Sequence, residues 1–196
     1  MKTKNDFEQY MNAFLNQNAK LNLISKNDEQ FLWEKHIFDS LAIEKLFNKY
    51  QTGNTLLDFG TGGGFPSVPI ALTYPEIQVT ALDSIAKKIR AITELKNELN
   101  INNLTPICSR VENIEGKYDI VTSRAVASLD KIIEYAIPHL KKDGYFVAYK
   151  SVKVQEEIAN ARLTLKKYKA EVIDIIEYDL PLKENHTRNL VVIKKL

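Results

Sequence analysis

The run Leu56-Leu57-Asp58-Phe59-Gly60-Thr61-Gly62-Gly63-Gly64-Phe65-Pro66 determines the fold that the rest of the chain is expected to adopt. It holds four of the seven glycines, within five residues, and a short apolar run leads into it. The apolar stretch 65–72 that follows has the pattern of a helix. A strand, a glycine turn and a helix in this order let a small molecule lie against bare backbone at a helix N-terminus. The stretch therefore predicts a site for a nucleotide-like cofactor.

From this stretch to the end of the chain, apolar runs alternate with helical patterns. We predict strands at 55–59, 78–82, 105–108, 118–122, 144–149, 172–178 and 189–194, and helices at 66–74, 85–99, 129–140 and 153–168. This alternation predicts an α/β fold with a doubly wound, mostly parallel, seven-stranded sheet covered by helices on both faces. No helix separates the last two strands, so we expect them to form a C-terminal antiparallel hairpin at one edge. The ligand of such a sheet lies at the carboxyl ends of its strands.

The first fifty residues have a helical pattern only. Apolar side chains at positions 7, 10, 11, 14 and 15 share one face of a helix predicted at 5–17. Asn27 with Gln30 three residues later resembles a capping box, and a second helix is predicted from about 28 to 50. We therefore divide the chain into an N-terminal helical extension (1–50) and a cofactor-binding domain (51–196).

Composition restricts the class of protein only loosely. The 27 basic and 25 acidic residues give a net charge of +2, which permits nucleic-acid binding without requiring it. The single cysteine, Cys108, excludes an internal disulfide framework and suits a reducing compartment. The N-terminus has no apolar signal core and no stretch approaches the length of a membrane span, so we expect a cytoplasmic protein.

Two aspartates flank the glycine stretch. Asp83 ends the second predicted strand, where a carboxylate accepts hydrogen bonds from ribose hydroxyls; its alternative is an ordinary helix N-cap. Asp58 lies in the first strand and could orient the loop or meet an amino group of the cofactor. A dinucleotide oxidoreductase is disfavoured, because Phe65 stands where the third glycine of that fingerprint belongs.

The segments after the third and fourth strands carry further candidates. Val111 and Glu112 could meet an adenine edge, although a solvated glutamate is equally compatible with that position. Arg124 follows the fourth strand, where doubly wound methyltransferases keep their substrate chemistry. The Pro-Pro-aromatic motif of amino-group methylases is absent there, and Cys108, the only thiol, lies in an apolar run typical of a core residue. With neither of these reactions supported, the methyl acceptor that remains is a group that is already nucleophilic, such as a ring nitrogen.

Several basic residues and one histidine lie near the predicted crevice. Lys150 and Arg188 flank the crevice end of the sheet and, with Arg124, could hold phosphates. His36 and Asp39 are three residues apart on one helix face, where the histidine could contact substrate or be structural. The three histidines and the cysteine have no metal-ligand spacing, so we expect no metal.

Several of these motifs together resemble one family. They are His36-Ile37-Phe38-Asp39-Ser40-Leu41, the glycine stretch from Asp58 to Pro66, Leu82-Asp83-Ser84 with Lys87-Lys88, Arg110-Val111-Glu112, Ser123-Arg124-Ala125 and Arg188-Asn189-Leu190-Val191-Val192-Ile193-Lys194. In this order, over nearly the whole length, they are similar to the bacterial small-subunit ribosomal RNA methyltransferase G family, also called glucose-inhibited division protein B.

The resemblance implies a class I S-adenosyl-L-methionine-dependent enzyme that methylates N7 of one guanine in 16S rRNA, within a small ribosomal subunit or an assembly intermediate. It implies cofactor contacts at Gly60, Phe65, Asp83, Val111, Glu112 and Arg124. The substrate-side candidates are Arg124, Lys150, Arg188 and His36, and we expect a monomer. The chain departs from the family pattern at Lys35, Ser67, Ser151 and Asn189.

Two other functions remain open at this point. A methyltransferase acting on a small molecule or a protein would have the same fold. A non-catalytic RNA-binding module with a relic cofactor loop is a different class, and the intact glycine run with Asp83 is evidence against it.

Overall fold

The computed structural model describes residues 2–196 and contains a single seven-stranded sheet in the order β3-β2-β1-β4-β5-β7-β6. Its strands are β1 (Thr55–Phe59), β2 (Gln78–Asp83), β3 (Leu104–Cys108), β4 (Tyr118–Arg124), β5 (Leu140–Lys150), β6 (Ala170–Asp179) and β7 (Thr187–Lys195). The first five pair in parallel, and β7 lies antiparallel between β5 and β6. The predicted fold class and the antiparallel hairpin at one edge are confirmed.

Helices cover both faces of this sheet. They are α1 (Glu8–Leu21), α2 (Lys26–Glu29), α3 (Asp39–Leu41), α4 (Glu44–Lys49), α5 (Ser67–Thr73), α6 (Ala86–Glu98), α7 (Leu129–Ala136) and α8 (Val154–Lys167). One buried apolar cluster joins α1, α5 and α6 to one face, and a second joins α7 and α8 to the other. The middle strands are buried on both faces, which is why their sequences read as continuous apolar runs.

The helix predicted at 129–140 is shorter than expected. It ends at Ala136, a 3₁₀ turn (Ile137–His139) follows, and Leu140 already belongs to β5. Pro138 has no N–H to continue the α-helical hydrogen bonds, which accounts for the change of conformation. Strand β5 is consequently longer than the predicted 144–149.

The single helix predicted at 28–50 was wrong. The chain instead forms α2, a π-helix (Leu32–Phe38), α3 and α4 in succession. The cap is also two residues earlier than predicted: the Ser25 hydroxyl accepts from the Asp28 N–H at 3.2 Å, whereas Asn27 lies inside α2. The wider π turn changes which side chains share a face, so spacing alone did not give the orientation of this segment.

The N-terminal segment is packed onto the sheet domain. Phe14 of α1 is fully buried and its ring centroid lies 5.0 Å from that of Phe65, immediately after the glycines. Residues 50–54 link α4 to β1 at the predicted boundary, and the division of the chain into two units there stays a prediction.

The expectation that Cys108 is a core residue was wrong. It ends β3, which is an edge strand, and its thiol is exposed. Within residues 2–196, no helix combines the length and apolar character that a membrane crossing needs.

Candidate functional site

The glycine bend begins directly after β1, at the carboxyl end of the sheet. Gly60 and Gly62 have backbone φ angles of 69° and 61°, a region that strains any residue with a Cβ. The Thr61 N–H donates to the Leu82 carbonyl at 3.0 Å, and the Gly62 N–H donates to Asp83 Oδ2 at 2.9 Å. The bend is thus attached to the end of β2.

Asp83 is engaged at both of its carboxylate oxygens. One carboxylate oxygen holds the bend through Gly62, and the other accepts from the Ile85 N–H at 3.0 Å, immediately before α6. Lys88 approaches the first oxygen at 3.5 Å. Because each carboxylate oxygen can accept more than one hydrogen bond, Asp83 still has acceptor capacity towards a ligand.

A first cavity of about 410 Å³ lies between this bend and the ends of β2, β3 and β4. Four of the predicted cofactor residues line it together: Gly60, Asp83, Val111 and Glu112. Tyr135 of α7 and Val126 also line it, and neither was singled out from the sequence. Tyr135 is one apolar position of an amphipathic helix, so no local signal distinguishes it from core residues.

Phe65 and Arg124 do not line the first cavity. Phe65 is buried beneath the bend, where its ring lies 5.1 Å from that of His36 and 5.3 Å from the Arg124 guanidinium. Arg124 lines a second cavity of about 570 Å³, which also contains His36, Lys150 and Arg188. All four substrate-side candidates therefore meet in one place.

Ala125 connects the two cavities, because it lines both of them. Its φ angle is 55°, an uncommon conformation for a residue other than glycine. The backbone at the end of β4 therefore runs between a cavity walled by the glycine bend and one walled by cations.

Arg124 is held by the N-terminal segment. Its Nη1 donates to Asp39 Oδ2 at 2.8 Å and to the Lys35 carbonyl at 3.4 Å, and its Nη2 lies 3.4 Å from His36 Nδ1. The Tyr178 hydroxyl of β6 donates to the other Asp39 oxygen at 2.7 Å. The paired side chains are only 16% and 7% exposed, so this ion pair fixes the direction of the guanidinium.

His36 is neutral in this setting. Burial, followed by repulsion from Arg124, lowers the pKa of His36 to about 4. Its Nε2 is buried and has no hydrogen-bond partner among the described residues. A neutral ring can accept from Arg124 through Nδ1 while Nε2 carries the proton.

Lys150 and Arg188 differ in how they are paired. Lys150 Nζ donates to Glu157 Oε2 at 2.7 Å and to the Ala127 carbonyl at 2.9 Å, and its side chain is 9% exposed. Arg188 has no ion pair among residues 2–196. Glu157 was missed from the sequence, where it reads as a solvated acid in the first turn of a helix.

Asp58 lies in neither cavity. Its Oδ1 accepts from the Thr122 hydroxyl at 2.9 Å and its Oδ2 from the Ser67 N–H at 3.3 Å, the first residue of α5. Burial raises its pKa to about 6. Of the two roles considered for it, the contacts support the orientation of the loop and of α5.

Known proteins resemble this chain over nearly its whole length. A family model described as rRNA small subunit methyltransferase G matches residues 3–193. Curated proteins of that name from Thermoanaerobacter sp. (strain X514) and Bacillus licheniformis are 36% and 35% identical, over 97% and 96% of this chain and 81% of each relative.

Solved structures with the same fold include M. jannaschii TYW2 in complex with AdoMet and the precorrin-6y C5,15-methyltransferase of Geobacter metallireducens GS-15. Their TM-scores are 0.61 and 0.58 at 18% and 17% identity. The alignments cover 81% and 89% of this chain and 77% and 91% of the respective structures. At this identity they establish the fold alone.

Proposed function

The chain belongs to the GidB family of rRNA small subunit methyltransferase G, and from that premise we propose that it methylates N7 of one guanine in 16S rRNA with S-adenosyl-L-methionine as donor. The observation that carries the proposal is the pair of cavities joined at Ala125. One has the bend and the acid that a nucleoside donor needs, and the other has the cations that an RNA acceptor needs.

The first cavity fits the donor on three grounds. Gly60 leaves bare backbone there, and a Cβ built on it would overlap Val126 Cγ2, so a side chain at this position would require Val126 to move. Asp83 supplies an acceptor for ribose hydroxyls, and Val111 with Tyr135 supplies apolar surface for a base. We assign cofactor contacts to Gly60, Asp83, Val111 and Glu112, with Phe65 supporting the bend from beneath.

Methyl transfer requires little of the protein beyond alignment of the donor methyl group with the acceptor nitrogen. S-adenosyl-L-methionine supplies a methyl group already activated on a sulfonium sulfur. Guanine N7 has a free lone pair, so no general base is required. Holding the two in line lowers the activation free energy by on the order of 7–11 kcal/mol in the best cases. The target base must also leave its stack, which costs a few kcal/mol. Arg124 at the junction is then a positioning residue, directed by Asp39.

The context of the substrate is also part of the proposal. We propose that the rRNA is methylated within the small ribosomal subunit or an assembly intermediate, in the cytoplasm, by a monomer of this chain. Arg188, the cavity cation without an internal partner among residues 2–196, is the best placed to meet a phosphate.

A methylation assay tests the proposal. The purified protein is incubated with labelled S-adenosyl-L-methionine and either deproteinised 16S rRNA or small subunits, both from a strain that lacks the enzyme. Borohydride reduction and aniline cleavage then map 7-methylguanine. We expect one modified guanine, with subunits the better substrate. Label found only in proteins or metabolites would contradict the proposal.

A further inference from the structure

The wall of the second cavity contains an ion pair with an unused acceptor. Three carboxylates that line this cavity are Asp28, Asp39 and Glu157. Both oxygens of Asp28 are engaged, by Lys35 and Ser25, and both oxygens of Asp39 are engaged, by Arg124 and Tyr178. Glu157 uses only Oε2, which accepts from Lys150 Nζ and from the Leu129 N–H at 2.9 Å. Among residues 2–196, Oε1 of Glu157 has no partner.

The donor next to this acceptor is also incompletely used. Lys150 Nζ has three protons and directs two of them to Glu157 and to the Ala127 carbonyl. The cavity wall therefore presents a donor and an acceptor side by side. Guanine presents the complementary pair on its Watson–Crick edge, the O6 acceptor beside the N1–H donor. Adenine presents the reverse, an amino donor beside the N1 acceptor.

We propose that the Lys150–Glu157 pair reads the Watson–Crick edge of the flipped target guanine, with Lys150 donating to O6 and Glu157 Oε1 accepting from N1–H. This rests on the proposed function above. It assigns the selection of guanine over adenine to two side chains, because adenine would bring donor against donor and acceptor against acceptor.

The same contact favours the reaction itself. As the N7 lone pair forms the new N–C bond, the S–C bond of the donor breaks, its electron pair stays on sulfur, and no proton is transferred. The purine gains positive charge and its N1–H becomes more acidic. A carboxylate accepting from N1–H therefore binds the transition state more strongly than the ground state.

A phosphate-binding role for Lys150, considered from the sequence, fits this environment less well. Its ammonium is largely buried and is already neutralised by a carboxylate at 2.7 Å. A phosphate approaching Lys150 would meet the negative charge of Glu157 as well. Arg188, in the same cavity, carries no such neighbour among the described residues.

The test compares Glu157→Gln with the matched control Glu156→Gln, the exposed neighbour in the same first turn of α8. Small subunits are reconstituted with guanine or 2-aminopurine at the target position. The analogue keeps N7 and the exocyclic amino group but lacks O6 and the N1 proton. For each enzyme, kcat/KM is measured on both substrates and donor affinity is measured by calorimetry. Guanine and 2-aminopurine differ in the reactivity of N7. Each variant is therefore compared with the wild type on the same substrate, so that this difference cancels.

We expect Glu157→Gln to lower kcat/KM for guanine about 10- to 100-fold and that for 2-aminopurine less than about 3-fold, with donor affinity unchanged. Glu156→Gln should have the same kcat/KM as the wild type on both substrates. An equal loss on both substrates would overturn the inference, because Glu157 would then be only structural.

If Glu157→Gln fails to fold, the double variant Lys150→Met/Glu157→Gln replaces it, because this variant leaves no unpaired buried charge. Its kcat/KM is compared on the same two substrates, with the same expected result. Failure of the proposed function can be distinguished from failure of this inference alone. In that case the wild type itself would leave the guanine subunits unmethylated while binding the donor, and this inference would fall with it.

Discussion

At Gly60 the proposed cofactor site depends on the absence of a single carbon atom, the Cβ. The φ angle of 69° and the overlap of a built Cβ with Val126 Cγ2 both oppose any other residue. We expect Gly60→Ala to weaken S-adenosyl-L-methionine binding at least about 10-fold, or about 1.4 kcal/mol. Gly62→Ala is the control for backbone strain, since its φ is similar but its Cβ would meet only the Gly60 carbonyl, at 4.0 Å. Calorimetric titration measures the affinity of both variants for S-adenosyl-L-methionine. Equal losses of affinity would contradict the steric explanation.

Burial of His36 gives the free energy of unfolding a pH dependence of defined sign. Its pKa falls from 6.5 to about 4 on folding, so between these values the unfolded imidazole binds a proton that the folded one excludes. The free energy of unfolding should therefore decrease as pH falls from 6.5 to 4, by at most about 3 kcal/mol from this group. Urea titrations should find that decrease smaller in His36→Gln but unchanged in His186→Gln, whose ring is exposed. Superimposable profiles for all three proteins would contradict the assignment.

The N-terminal segment is joined to β4 by a buried ion pair between Asp39 and Arg124. Asp39→Asn leaves the Arg124 guanidinium without its charge partner, and we expect a loss of about 3 kcal/mol in the free energy of unfolding. Asp28→Asn removes a more exposed pair with Lys35 in the same segment and should cost about 0–1 kcal/mol. Urea titration measures both. Equal costs would mean that the Asp39–Arg124 pair does not hold the segment in place.

The sequence predicted the elements better than it predicted the contacts between them. Strand β1 and the glycine bend are local patterns, and they were read correctly from periodicity and glycine spacing. The Arg124–Asp39 pair joins residues 85 apart, and no local pattern contains that information. The departures at Ser151 and Asn189 illustrate the same limit: the buried Asn189 amide donates to the Ser151 carbonyl at 3.2 Å, a contact that only the folded chain reveals.

A net charge of +2 over the full chain is too small to attract RNA by itself. Under the proposed function, affinity comes from local cations, chiefly Arg188 in the second cavity. We expect Arg188→Gln to weaken binding to 16S rRNA and to reduce the slope of log affinity against log salt by about 0.7–1. Lys142→Gln is the control, since this exposed lysine lies near the start of β5, away from the carboxyl edge. Filter binding at several salt concentrations measures both, and identical slopes would exclude a phosphate contact at Arg188.

A crystal structure with S-adenosyl-L-homocysteine would show which cavity holds the nucleoside, on which the proposed function depends. We predict that its ribose contacts Asp83, its adenine lies between Val111 and Tyr135, and its sulfur lies beside Gly60 and Ala125, directed at the second cavity. A ligand bound among Lys150, Glu157 and Arg188, or one that leaves the glycine bend untouched, would contradict the account.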